Sequence, residues 1–311
     1  MRTRRLGEQG PEISVIGFGA WEAGGTQWGP NESEDSVIGA MRAGLDAGIA
    51  WIDTAEVYGD GVSEELVGRA IADRRGEVTI ASKVAPLPEG TGFRPEEVRK
   101  ACDASLGRLR VERIDLYQLH WADDTGVPIE DTWGAMAELQ DAGKVRCIGV
   151  SNFDRALIER CLPIRHVDSL QPEFSMLDRR NADLIRWCGE QGIGVVSYGP
   201  LAFGLLTGAV TAETEFSPDD WRSRPQTEGP FADLGASLAI VDRLRPIAER
   251  VGCTLGQLAL AWNVHQPGVT AAIAGTRNPS HARANAEAGD VELDPPTLEE
   301  IDGILGVADP H

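Results

Sequence analysis

Four residues at or just beyond the ends of apolar runs could together move a proton. In "IAWIDTAEVYGDG" (49–61) an apolar run stops at Asp53, and a phenol follows at Tyr58. "VTIASK" (78–83) closes on Lys83, and "IDLYQLH" (114–120) closes on His120. A lysine ending an apolar strand is expelled unless it is paired. Only three of the 29 basic residues are lysines, Lys83, Lys100 and Lys144, so lysine is not this chain's default cation. Held beside a carboxylate, Lys83 stays charged and oriented. Beside a phenol, its charge favours phenolate and would draw a tyrosine pKa down from about 10 towards the working range. Singly, each residue has a plainer role: a cap for Asp53, surface packing for Tyr58, a satisfied core imidazole for His120. Together, at the ends of consecutive runs, they read as a tuned proton donor.

Such a site needs a frame that brings strand ends to one place. Short apolar runs alternate with helical periods along the chain. The candidate strands are 15–19, 49–53, 78–83, 114–120, 145–151, 169–173, 193–198 and 269–275. They are nearly continuous in apolar character, as expected of parallel strands buried on both faces. Between them, Val98, Ala101, Cys102, Ser105, Leu106 and Leu109 form one helical stripe, and Val37, Met41, Leu45 and Trp133, Met136, Ala137 mark others. Eight strands with intervening helices predict an α/β fold, a (β/α)₈ TIM barrel, over a single domain spanning 1–311. A doubly wound sheet would carry a third glycine after "GFGAW", where Glu22 stands instead. The stretch 4–15 predicts a β-hairpin at the barrel floor. The polar segment 211–235 predicts a long loop between strands seven and eight, with helices near 237–250 and 254–265.

Composition narrows the function. The chain has 311 residues and a formal net charge of −20, which argues against nucleic acid. No window is apolar enough for a membrane span, and no apolar signal region follows the charged N-terminus. Five cysteines without paired spacing give neither a disulfide framework nor a zinc pattern, which points to a reducing, cytoplasmic setting.

The chain resembles the aldo-keto reductases. The resemblance runs through "GFGAW", "DTAEVYG", "ASK", "LYQLHW", "GKVRCIGVSN", "LQPEFS", "YGPLAFGLLTG" and "AGTRNPSHARANAEA", nearly the whole chain. "GTQWGP" (25–30) is similar to the bacterial and channel-subunit side of that superfamily. The resemblance implies metal-free, NADPH-dependent reduction of an aldehyde or ketone. It makes Tyr58 the general acid, tuned by Lys83 and Asp53, with His120 orienting the substrate carbonyl. It implies that Ser151, Asn152 and Gln171 hold the nicotinamide carboxamide and that Tyr198 stacks on the ring. Asp53, Ala20 and Trp21 would also border the cofactor. The segment Gly199, Pro200, Leu201, Ala202 to Gly204 would wrap the pyrophosphate with backbone amides. Gly275, Thr276, Arg277, His281 and Asn285 fall where the family binds the adenosine end. There Asn278 suits a helix N-cap and Pro279 the first helical position, so Arg277 would grip the 2′-phosphate at a helix N-terminus.

One departure stands out. Where many members pair glutamate with asparagine at the adenine, this chain has Ala284 and Asn285. Three other readings compete. A barrel glycosidase needs paired carboxylates at strand ends, where His120 and Tyr198 stand. A metal-dependent hydrolase could draw on His120, Asp123 and Asp124. A redox-sensing regulatory subunit would bind NADP(H) and turn over slowly.

Overall fold

The computed structural model describes residues 1–25, 27–28, 33–86, 93–122 and 126–306. Asp123 and Asp124 therefore lie outside the described residues, as does part of the stretch 25–30. The chain opens with β1 (Thr3–Arg5) and β2 (Glu12–Ser14), an antiparallel hairpin in which Thr3 faces Ser14. Strands and helices then alternate: β3 (Ile16–Gly19), α1 (Glu34–Asp46), β4 (Trp51–Asp53), α2 (Val62–Ala70), β5 (Thr79–Val84) and α3 (Pro95–Leu109). They continue with β6 (Ile114–Leu119), α4 (Ile129–Asp141), β7 (Val145–Ser151), α5 (Arg155–Cys161), β8 (Ser169–Gln171), α6 (Ala182–Glu190) and β9 (Gly194–Ser197). After the long connection come α7 (Leu234–Val251), α8 (Leu255–His265), β10 (Ala271–Gly275), α9 (Pro279–Glu287) and α10 (Pro295–Leu305).

Strands β3 to β10 close a parallel barrel in chain order, with β10 pairing back onto β3. The predicted eight strands are therefore observed, with ends shifted by at most two residues. The helices bury the faces their periodicity predicts. Val37, Met41 and Leu45 of α1 and Val98, Cys102, Ser105 and Leu109 of α3 all point into the core. Local chemistry sets several starts. The Ser33 side chain accepts from the Ser36 amide to cap α1, and Pro95 opens α3, where its missing N–H costs nothing.

Inside the barrel, Trp51, Ala81, Leu116, Cys147, Val196 and Ala271 pack with Leu6 and Ile13 of the hairpin. The hairpin thus plugs the end away from the strand C-termini. It is tied there by the Trp51 indole donating to Ser14 O at 2.9 Å and the Glu8 amide donating to Gly192 O at 3.1 Å. Gly17 of β3 leaves the room that Trp51 fills, since a Cβ there would overlap the indole. The segment 211–235 contains one short helical turn at Trp221–Ser223 and otherwise runs as loop into α7. No helix among the described residues is long and apolar enough to cross a membrane.

Candidate active site

Because the barrel strands are parallel, their C-terminal ends share one rim. Asp53 ends β4, Lys83 is the penultimate residue of β5, and His120 follows β6. Ser151 ends β7, Gln171 ends β8, Tyr198 follows β9 and Gly275 ends β10. Tyr58 reaches the same rim from the turn after β4. The four residues of the expected proton donor are in contact. Lys83 Nζ donates to Asp53 Oδ1 at 2.5 Å, to Thr54 O at 3.0 Å and to the Tyr58 hydroxyl oxygen at 3.2 Å. His120 Nε2 lies 3.4 Å from that same oxygen.

Lys83 is wholly buried and Asp53 nearly so. An unpaired ammonium there would be very costly, which is why the partner is a carboxylate. Burial works against the lysine's charge, but Asp53 and Tyr58 outweigh it, and the Lys83 pKa is raised. Burial, with the Lys83 charge adding to it, pushes His120 well below the usual imidazole range, so the ring is neutral. Tyr58 corrects an expectation. Lys83 does draw its pKa down, but burial acts more strongly in the other direction, and the net shift is upward. The site holds a neutral phenol rather than a phenolate. Its oxygen accepts from Lys83, which leaves its own proton available to a substrate.

The residues expected at the nicotinamide are wired to this group. The Gln171 amide donates to Asp53 Oδ2 at 2.8 Å, so the two oxygens of Asp53 are divided between Lys83 and Gln171. Ser151 Oγ donates to Gln171 O at 2.9 Å. Asn152 has φ +57°, a left-handed conformation that asparagine tolerates better than most residues. Its amide nitrogen donates to His120 O at 3.3 Å, and its Oδ1 accepts from the Tyr198 hydroxyl at 3.0 Å. Tyr198 is half-buried, and Ala20 is buried with its amide on Asp53 O at 2.8 Å. Trp21 stacks near Tyr58, ring centroids 6.3 Å apart, and Trp121 lies 4.6 Å from the His120 ring.

The loop after β9 behaves differently from expectation in part. Ala202 and Phe203 take positive φ, and the amides of Ala202 and Gly204 donate to Gly199 O and Leu201 O. Those two amides are spent within the loop rather than aimed outward. At the other end of the rim, Asn278 caps α9 by accepting from the Ser280 amide at 2.8 Å, with Pro279 first in the helix. Thr276 is buried beside it, Asn285 is half-buried and His281 is exposed. The Arg277 guanidinium donates to Trp28 O at 3.0 Å and lies 4.0 Å from Glu22, so it is already oriented towards the first loop. Arg283 is exposed on α9, its guanidinium donating to Pro279 O at 3.4 Å.

The long connection builds one wall of the site through Trp221, a residue that sequence reasoning did not single out. Trp221 stacks on Trp21 at 6.4 Å, meets Trp28, Phe203 and Phe231 edge-on, and its amide donates to Gln27 O. A cavity of about 240 Å³ lies between Trp21, Tyr198, Phe203, Trp221 and Phe231, with Glu173 and Arg180 on its polar side. Three aromatic residues in a largely polar loop, Phe216, Trp221 and Phe231, were the available signal. A larger hollow of about 440 Å³ between α5 and α6 touches the site only through Asn152. Among the described residues no group of three or more His, Cys, Asp or Glu could hold a metal ion.

Known proteins resemble this chain over nearly its full length. The profile of the aldo/keto reductase family matches residues 15–305. Aldo-keto reductase YhdN of Bacillus subtilis is 37% identical, over 98% of this chain and 94% of that protein. The glycerol dehydrogenase AKR11B4 of Gluconobacter oxydans superposes with a TM-score of 0.86 at 32% identity, covering 99% of this chain and 98% of that one. An aldo/keto reductase of Klebsiella pneumoniae, solved with NADP and acetate, superposes at 0.77 with 30% identity over 99% and 96% of the two chains. With a closed eight-stranded barrel and a tyrosine, lysine, aspartate and histidine meeting at its rim, the chain belongs to the aldo/keto reductase family.

Proposed function

We propose that this chain reduces an aldehyde or ketone with NADPH, and that Tyr58 donates the proton. The observation that carries the reading is the position of the Tyr58 oxygen, within reach of both Lys83 Nζ at 3.2 Å and His120 Nε2 at 3.4 Å. A carbonyl oxygen placed between Tyr58 and His120 meets two potential donors beside buried Lys83 and Asp53, and preorganised donors aimed at developing charge are the most effective kind. When bound, NADPH supplies the hydride. As negative charge develops on the carbonyl oxygen, Tyr58 protonates it, and the Lys83 ammonium stabilises the phenolate left behind. Neutral His120 aligns the carbonyl through Nε2. Asp53 keeps Lys83 charged and aimed.

The residues present fit such a cofactor. Asn152, Gln171 and Ser151 place amide and hydroxyl groups beside the half-buried ring of Tyr198, a set suited to a carboxamide and its ring. At the far side of the rim, Arg277 precedes the N-terminus of α9, suited to a phosphate. A redox-sensing subunit with slow turnover would use the same cofactor residues; the assembled proton donor favours the reductase.

Tyr58→Phe tests the reading. It should lower kcat by roughly 10²- to 10⁴-fold and leave the NADPH dissociation constant nearly unchanged. Stopped-flow oxidation of NADPH with an unactivated aldehyde measures the first and fluorescence titration the second. A variant with wild-type kcat would remove Tyr58 from its role, and a wild type that binds NADPH without consuming it would support the sensor. A panel of aldehydes, ketones and sugars would then narrow the substrate.

A further inference from the structure

The turn that carries Tyr58 is tied to β5 by a second carboxylate, one that the chemistry above does not use. Beyond Asp53 the chain continues alongside β5: the Thr54 amide donates to Ala81 O at 2.9 Å and the Glu56 amide to Lys83 O at 3.3 Å. A continuing ladder would offer the Ala85 amide a backbone carbonyl. Instead the chain turns away, the Tyr58 amide donating to Ala55 O at 3.2 Å. The acceptor supplied to Ala85 is the Glu56 side chain, whose Oε1 takes that N–H at 2.9 Å. Ala85 is buried and the Glu56 side chain is only 10% exposed. Without the carboxylate, a buried amide would be left unpaired, at a cost water could not fully offset.

We propose that Glu56 is a positioning residue for carbonyl reduction: ionised, it sets the register of the Tyr58 turn on the Lys83 strand, and its protonation slows turnover. The proposal rests on the reductase reading above. Its surroundings are asymmetric. From α2, Glu64 is wholly buried and accepts from Ser82 Oγ at 2.5 Å and from Arg108 Nε at 2.6 Å. From α3, Arg108 also approaches Glu56 Oε2, at 3.9 Å. From β6 comes the phenol of Tyr117, which burial and the Glu56 charge keep un-ionised. On β5 the charge of Lys83 is turned into the barrel towards Asp53. One guanidinium therefore serves two carboxylates, and Glu64 holds the shorter contact. Burial raises the Glu56 pKa to about 6, with Glu64 adding to the rise while the Ala85 amide and Arg108 oppose it. The ionised form thus prevails above that pH and is lost as pH falls through it. A neutral acid holds the Ala85 amide less strongly than a carboxylate does, because charge-assisted hydrogen bonds are the stronger kind.

The test is the pH profile of kcat for NADPH-dependent aldehyde reduction on either side of pH 6. Wild type should lose rate on the acid side. Glu56→Gln keeps an acceptor oxygen but no charge. Its kcat should be flat across this window, about five-fold below the wild-type neutral plateau, with an unchanged KM for NADPH. Glu56→Ala, lacking any acceptor, should fall further, by about ten-fold or more. An acid limb that persists unaltered in Glu56→Gln would overturn the proposal, as would full kcat in Glu56→Ala. If wild type consumes no NADPH with any carbonyl, the reductase reading fails and this proposal with it. Turnover with an unaltered limb removes the proposal alone.

Discussion

At the scale of single residues, charge placement decides most of what the site can do. Lys83 earns its place in an apolar strand because Asp53 compensates it, and Asp53 in turn orients Gln171, so the proposed proton donor and the proposed cofactor residues share one carboxylate. Arg277 is the clearest case for cofactor choice. Its guanidinium is held by Trp28 O immediately before the N-terminus of α9, where free amides favour an anion. A charged hydrogen bond to a 2′-phosphate contributes about 1.5–3 kcal/mol, so Arg277→Ala should weaken NADPH by roughly ten- to a hundred-fold. NADH lacks that phosphate and should be nearly unaffected. Dissociation constants for both cofactors, by fluorescence titration of wild type and variant, check this. An equal loss for both would instead mean that the arginine only anchors the first loop.

At the scale of elements, the rim is only as well placed as the strands beneath it. Strand β3 shows how close the fit is. Gly17 faces the Trp51 indole of β4 inside the barrel, and an added Cβ would overlap that ring. Gly17→Ala should therefore cost about 1–3 kcal/mol through overpacking, read as a lower urea midpoint with an unchanged slope. Gly76→Ala is the control, since a Cβ there meets nothing within 4 Å and should leave stability nearly unchanged. A Gly17 variant as stable as the control would show that the indole can move aside. Both β3 and β4 end at the active site, at Gly19 and Asp53, so a displaced Trp51 should also lower kcat.

At the scale of the whole molecule, the net charge of −20 is the dominant feature. Many surface arginines are paired, Arg160 with Glu130 and Arg69 with Glu34 among them, yet exposed pairs are worth only about 0–1 kcal/mol each. Carboxylates outnumber cations, 49 to 29, and repel one another across the surface. Raising ionic strength from about 0.01 to 0.15 M shortens the screening length from about 30 to about 8 Å. Repulsion should weaken more than the short-range pairs do, so Tm should rise with added NaCl in a calorimetric series. A falling Tm would mean that the surface pairs outweigh the net repulsion.

The sequence by itself determined the parts that depend on local pattern. Continuous apolar runs separated by helical stripes dictated eight buried parallel strands, and Asn278 and Pro279 announced where one helix begins. It also placed Asp53, Lys83, His120, Gln171 and Tyr198 on one rim, because a helix returns the chain after each strand, so all strands run the same way and end on the same side. Only the tertiary structure decided what depends on distance and enclosure. That Tyr58 is a neutral phenol follows from its burial, which competes with Lys83 and cannot be weighed from residue types. That Trp221 stacks on Trp21, and that Glu56 replaces a backbone carbonyl on β5, follow from how a long loop and a short turn fold back on the barrel. Neither has a repeating pattern, since such contacts are made once, by chain segments with no periodicity to betray them.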